Sequence, residues 1–249
     1  MRLRLRNFMA VANVLLVLAL SGTGCEGNKM KATDAFTDPK TIALVMAAQK
    51  GDVEGVHAAV RSGADPNARG KDDATPLLVV LATTINKAGL AALLSAGADP
   101  SLPATRGVAP LTLVVRAKDP ELLQIMLKGG ANPNWQGSTG EPLIWLAARD
   151  DRWDNVDTLL KSGADINALD GSGYTTVMRV ASLQQYDRVM WLIARGANVT
   201  HVTRIGVSLA EFIESDNTSP NSPQYAWKQK VIAALQSQGI KVQVPPAQN

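Results

Sequence analysis

A five-residue phrase returns along this chain at a fixed interval: Gly63-Ala64-Asp65-Pro66-Asn67, Gly97-Ala98-Asp99-Pro100-Ser101, Gly130-Ala131-Asn132-Pro133-Asn134, Gly163-Ala164-Asp165-Ile166-Asn167 and Gly196-Ala197-Asn198-Val199-Thr200. Successive glycines lie 34, 33, 33 and 33 residues apart. A period of this size predicts a stacked array, in which each unit covers its neighbour's apolar face. Such an array offers a long surface rather than a catalytic pocket.

The residues between the glycines describe the unit. Thr75-Pro76-Leu77-Leu78, Ala109-Pro110-Leu111-Thr112, Glu141-Pro142-Leu143-Ile144 and Thr175-Thr176-Val177-Met178 each place proline, or once threonine, at a helix start. Proline suits that position because its missing N–H would have no helical partner there. A polar turn follows, clearest in Ala47-Ala48-Gln49-Lys50-Gly51-Asp52. A second helix then carries apolar residues at i, i+3 and i+4, as in Val156, Leu159 and Leu160, and it ends at glycine. The unit reads as helix, turn, helix and an extended finger.

On these motifs the chain resembles the ankyrin repeat family over residues 38–241. The resemblance implies an all-α ankyrin repeat solenoid of five to six units including caps. The units fall at about 38–70, 71–104, 105–137, 138–170 and 171–203, with a cap at 204–241. Where the family has a histidine in its first helix, this chain has Leu78 or Val79, Thr112, Ile144 and Met178. Asp38-Pro39 suits the start of an N-terminal cap. The last helix, near Tyr225 to Gln238, places Trp227, Val231, Ile232 and Leu235 at core spacing, with Lys228, Gln229, Lys230 and Gln236 toward water. The stretch Ser215 to Gln224 is rich in Ser, Asn, Thr and Pro; its default reading is disorder, and the other reading is an added contact. The tail 242–249 reads as loose.

The N-terminus makes a separate statement. Arg2, Arg4 and Arg6 precede an apolar run from Phe8 to Leu20, followed by Ser21-Gly22-Thr23-Gly24-Cys25. That pattern is a secretory signal over 1–24, too short to span a bilayer. With the only cysteine directly after small residues, it resembles a bacterial lipoprotein signal. The resemblance implies a lipid on Cys25, a tether over 25–37 and periplasmic exposure at the outer membrane, since Glu26 follows the cysteine. The other reading is an ordinary signal with an incidental cysteine. No second cysteine exists to form a disulfide.

Once Arg2, Arg4 and Arg6 leave with the signal, the 25 basic and 22 acidic residues become 22 and 22, a net charge of zero. Neither that balance nor any basic run suggests nucleic-acid binding. His57 and His201 are the only histidines and neither has a partner at ligand spacing, so no metal site, no cofactor and no catalytic residue is expected. Gly171 and Gly173 read as turn glycines in a finger.

Binding is therefore expected where the resemblance puts it, at the first-helix ends and finger tips of the concave face. Unit by unit these are Gln49 and Lys50, Thr83 and Thr84, Arg116, Arg149 and Asp150, Ser182 and Leu183; the fingers add Arg69, Lys71, Asp72, Arg106, Trp135 and Tyr174. Trp135 is either a partner anchor or a residue lying along its own finger. Trp145 is core or concave, and Trp153 and Trp191 read as packing between units. Exported ankyrin lipoproteins of bacteria include immunity proteins, so the resemblance implies a monomer that neutralises a secreted or periplasmic enzyme or toxin, such as a lipase. The alternative is a periplasmic scaffold of the catalase-associated ankyrin type.

Overall fold

A computed structural model describes residues 31–243. The expected signal over 1–24, Cys25 and the tail from Val244 onward lie outside the described residues. The chain divides into two compact units, residues 1–137 and 138–249. Among the described residues there are thirteen α-helices, and isolated bridges take the place of strands.

In the first unit, α1 is Ala32–Ala35, α2 Pro39–Lys50, α3 Val53–Arg61, α4 Pro76–Thr83, α5 Lys87–Ser95, α6 Pro110–Val114 and α7 Pro120–Lys128. Their starts are written locally. The side chains of Asp38, Asp52, Thr75, Asn86 and Asp119 each accept a backbone N–H of the first turn, and prolines occupy the first turn of α2, α4, α6 and α7. Helices α2 and α3, α4 and α5, and α6 and α7 form hairpins, stacked α2 on α4 on α6 and α3 on α5 on α7. Leu44, Leu77, Leu81, Leu90, Leu93 and Leu123 are wholly buried between them, each contributing about 1.5–3 kcal/mol of burial. Gly89 lets α5 close on α2: a Cβ there would stand 1.8 Å from the carbonyl oxygen of Ala48.

The tether expected over 25–37 is in part structure. Ala32–Ala35 is helical, and Ala32, Ala35 and Phe36 are buried at 4–5% exposure. Phe36 lies against Gly70, where a Cβ would come within 2.8 Å of its ring. The end of the stack has no neighbour of its own, and this short segment covers it.

In the second unit, α8 is Leu143–Arg149, α9 Trp153–Lys161, α10 Thr176–Ser182, α11 Tyr186–Ile193, α12 Leu209–Ser215 and α13 Pro223–Ser237. The same hairpins recur, with α10 between α8 and α12, and α11 against α13. Ile144 and Met178, standing at the family's histidine positions, are 1% and 0% exposed.

The recurring phrase has a physical reading at each letter. The glycines adopt φ between +88° and +95°, where a Cβ is strained. Ala64, Ala98, Ala131 and Ala197 are buried. The third residue closes an Asx turn onto the backbone N–H two places on, at 2.8–2.9 Å. The fifth, where it is Asn67 or Asn167, reaches the next phrase. Asn67 accepts from Asp99 N at 2.7 Å and donates to the Gly97 carbonyl at 2.8 Å, and Asn167 accepts from Asn198 N at 2.7 Å.

Between the paired helices, Gly51 turns with φ +76°; at the corresponding corners stand Ile85 (+50°), Asp151 (+58°) and Gln184 (+59°). A residue with a Cβ is strained there. Asp151 is exposed, so Asp151→Gly relieves the corner without removing buried contacts. Thermal unfolding should show a gain of about 0.5–1 kcal/mol. A lower melting temperature would count against strain at this corner.

The C-terminal cap departs from the sequence expectation at two residues. Lys228 is only 4% exposed, and Trp227, expected in the core, is 37% exposed with Lys230 Nζ 3.9 Å above its ring. The buried stripe of α13 is Lys228, Val231, Ile232 and Leu235, spaced i, i+3, i+4 and i+7. Geometry puts a lysine inside and a tryptophan at the edge. Gln229, Lys230 and Gln236 face water as expected.

The stretch 215–224 is likewise held. The Asp216 side chain, 6% exposed, accepts from Lys228 Nζ at 2.9 Å, from Thr218 N at 3.0 Å, from the Thr218 hydroxyl and from Gln184 Nε2. Lys228 also donates to the Asp216 carbonyl at 2.7 Å. Gln224 and Asp187 exchange two hydrogen bonds, at 2.9 and 3.2 Å. Desolvation alone would raise the Asp216 pKa, but the hydrogen bonds from Thr218 and Lys228 outweigh it and hold it near 2. Tyr186 is buried beside this group and its hydroxyl pKa is pushed up, first by burial and then by its interaction with the Asp216 carboxylate.

A carboxyl with its folded pKa below its unfolded value stabilises fully above the unfolded value and progressively less as pH falls through the folded one. The contribution of Asp216 should therefore fade between about pH 4 and pH 2, by up to about 2 kcal/mol. Urea unfolding of the wild type and Asp216→Asn over that window checks it: the wild type should lose stability more steeply than the variant.

Candidate partner-binding surface

In the first unit, Gln49 and Lys50 end α2, Thr83 and Thr84 close α4, and Arg116 follows α6. Gln49 Nε2 donates to Thr83 Oγ1 at 3.0 Å, and Thr83 Oγ1 donates to the Val79 carbonyl at 2.7 Å. Two of the expected contact residues thus join neighbouring repeats. Lys50 and Thr84 are exposed beside them, and Arg116 is half-buried.

The fingers divide the same way. Arg69 donates to the Asp73 carbonyl at 3.2 Å and to the Pro103 carbonyl of the next finger at 2.5 Å. Thr105 Oγ1 donates to the Asp73 carboxylate at 3.1 Å. Lys71 and Asp72 stand exposed at the tip, which turns through positive φ at Asp72 (+56°) and Asp73 (+57°). Arg106 lies in the turn Thr105–Gly107, and its side chain lies outside the described residues. Trp135 is half-buried, with its indole edge along its own finger at Gly137. Lys87 at the start of α5 pairs with Asp119 at 2.7 Å and with Glu121. These hydrogen bonds raise the Lys87 pKa and lower that of Asp119.

In the second unit, Arg149 is drawn to Glu141 at 2.6 Å and toward Asp150 at 3.5 Å. Ser182 donates to the Arg179 carbonyl at 2.7 Å, and Leu183 is 46% exposed at the turn after α10. Tyr174 is engaged rather than free. The Arg179 guanidinium sits 4.3 Å above its ring, and the Phe212 ring lies 5.9 Å away. Arg179 Nε donates to Asp170 at 2.6 Å, and the Asp170 side chain, 5% exposed, also accepts from Ser172 N and Tyr174 N. Sequence reasoning missed this Asp170–Arg179 pair, whose signal is an acid opening the finger and a base on the helix that the finger feeds.

The aromatic residues of the helices pack. Trp145 is 8% exposed, which places it in the core. Trp153 and Trp191 meet edge to face at 5.5 Å, joining α9 and α11 as expected. Arg188 lies over the Trp153 ring at 4.8 Å and Arg195 over Trp191 at 3.4 Å.

Sequence reasoning also passed over the finger 199–208, where Val202 and Ile205 are 54% and 77% exposed. Ile205 occupies the register of Ser172 one finger earlier, and that contrast was readable. His201 contacts the Gly173 carbonyl at 2.9 Å, and His57 lies 3.5 Å from the Ser95 hydroxyl. Among the described residues no group of three or more His, Cys, Asp or Glu could hold a metal ion, and no helix is long and apolar enough to cross a membrane.

The family model for ankyrin repeats (3 copies) matches residues 111–203. Among solved structures, the ankyrin repeat domain of Bcl-3, described as a unique member of the IkappaB protein family, superposes with a TM-score of 0.65. The two share 21% identity over 82% of this chain and 89% of that one. At that identity the likeness is one of fold. No curated protein matches the chain.

Proposed function

We propose that this chain, which has the ankyrin repeat fold, is a protein-binding scaffold that neutralises one protein partner at a bacterial envelope. The partner class is a secreted or periplasmic enzyme or toxin, and a lipid on Cys25 is the anchor. Ankyrin repeats are protein-interaction scaffolds. One observation supports a binding role on this frame: side chains that the fold does not use face solvent at the expected positions. Gln49, Thr83, Arg69 and Tyr174 hold the repeats together, whereas Lys50, Lys71, Asp72 and Leu183 project from the same helix ends and finger tips. Lys50, Lys71 and Asp72 are the free side chains of the first unit, and Leu183 is a large apolar side chain left in water at a turn of the second.

The test is affinity purification of the tagged full chain from its own bacterium, with mass spectrometry of what accompanies it. A single stoichiometric enzyme or toxin is expected. Its capture should fall at least tenfold in Lys71→Glu and Leu183→Asp, which leave the internal bonds intact. Recovery of abundant envelope proteins alone, or variants that bind unchanged, would sink the reading. Anchoring is tested separately: Cys25→Ser should release the chain from membranes without affecting its binding.

A further inference from the structure

The finger 199–208 and the helix after it, α12, border an open hollow of about 500 Å³ lined by Val207, Glu211, Phe212, Glu214 and Ser215. Its apolar surface comes from Val207 and Phe212, both half-buried. The Phe212 ring lies 5.9 Å from that of Tyr174, so the hollow continues the expected contact surface at the last finger. Glu211 and Glu214 stand three apart on α12 and share one face of it. Their bonds are to backbone N–H groups: Glu211 accepts from Ser208 N and Glu214 from Gln243 N, both at 2.6 Å. Among the described residues no basic side chain pairs with either carboxylate. Arg179, over the Tyr174 ring, is held by Asp170. Arg204 stands exposed at the finger tip, and the last turn of α12 holds no basic residue.

We propose that this hollow receives a partner's segment in which a lysine or arginine stands beside a large apolar side chain. The apolar side chain covers Val207 and Phe212, and the cation meets the two carboxylates. Like charges three apart on a helix repel, and a negative charge in the last turn also opposes the carbonyl end of the helix. A bound cation relieves both. The attraction gains strength because the apolar part of the segment excludes water from beside the pair. An acidic segment of the same shape is repelled, so the site discriminates by charge as well as by fit. The inference rests on the reading of this chain as a protein-binding scaffold and adds the chemistry that its last finger recognises. It does not depend on export or on the Cys25 anchor.

The test selects random seven-residue peptides, displayed on phage, against the immobilised full chain, and the winning sequence is then synthesised. Lysine or arginine next to an apolar residue should dominate the selected sequences. The synthetic peptide should shift the amide NMR signals of Val207, Phe212 and Ser215 and leave those of α9 unchanged. Its affinity should fall at least tenfold in Glu211→Gln with Glu214→Gln, a double variant whose side-chain oxygens still accept from Ser208 N and Gln243 N. No enrichment of basic residues, shifts elsewhere, or equal affinity for the double variant would overturn the proposal. Self-association of the chain that the same two substitutions abolish would assign the hollow to a second copy and overturn it equally. A full-length partner whose capture falls in Lys71→Glu and Leu183→Asp but not in the double variant would defeat this inference alone and leave the scaffold reading standing.

Discussion

Lys228→Ala is expected to destabilise the second unit by about 3 kcal/mol, because it leaves the buried Asp216 carboxylate without its counter-charge. Both side chains are almost out of water, at 4% and 6% exposure, so solvent cannot replace the lost partner. The remaining donors, from Thr218 and Gln184, keep the cost toward the lower end of the range for breaking a buried pair. The double change Lys228→Met with Asp216→Asn removes both charges and preserves much of the volume. It should stay within about 1 kcal/mol of wild type. Urea unfolding followed by tryptophan fluorescence reads the right region, since Trp145, Trp153, Trp191 and Trp227 all belong to that unit. A single variant no worse than the double would mean that the pair does not hold the cap.

Gly89→Ala is expected to cost the first unit about 3 kcal/mol or more. The substitution ordinarily favours a helix, because alanine has the better propensity. Here the added methyl would stand 1.8 Å from the Ala48 carbonyl oxygen and 2.6 Å from its carbon. Those are backbone atoms of α2, so relief requires the two helices to separate, and overpacking of this kind outweighs a propensity gain of about 1 kcal/mol. The exposed neighbour Ala91, changed to serine, serves as the control and should shift stability by less than about 0.5 kcal/mol. An unchanged unfolding midpoint for Gly89→Ala would show that α5 does not sit this close to α2.

These two residues also mark where the sequence stopped being readable. The unit was legible because its chemistry is local: the glycine, the Asx turn and the proline at the helix start each act within a few residues and repeat five times or nearly so. Gly89 was illegible because its reason lies across a helix contact, at Ala48. Lys228 was misread because a lysine on an amphipathic helix ordinarily faces water, and its partner Asp216 sits in a stretch whose composition suggests disorder. The candidate surface shows the same division. Its positions followed from the repeat register, but the bonds that occupy Gln49, Arg69 and Tyr174 run to the neighbouring repeat or finger. A pattern read along one chain segment does not reveal them.

The short helix Ala32–Ala35 and the buried Phe36 set how far this protein stands from a membrane in its proposed lipidated form. With the whole of 25–37 as a leash, twelve extended residues would allow a standoff of about 40 Å. Because residues 32–37 belong to the fold, they are withdrawn from that leash, which shortens its reach by about 20 Å. In the proposed lipidated form, a partner would therefore be met closer to the membrane surface than the full stretch 25–37 would allow.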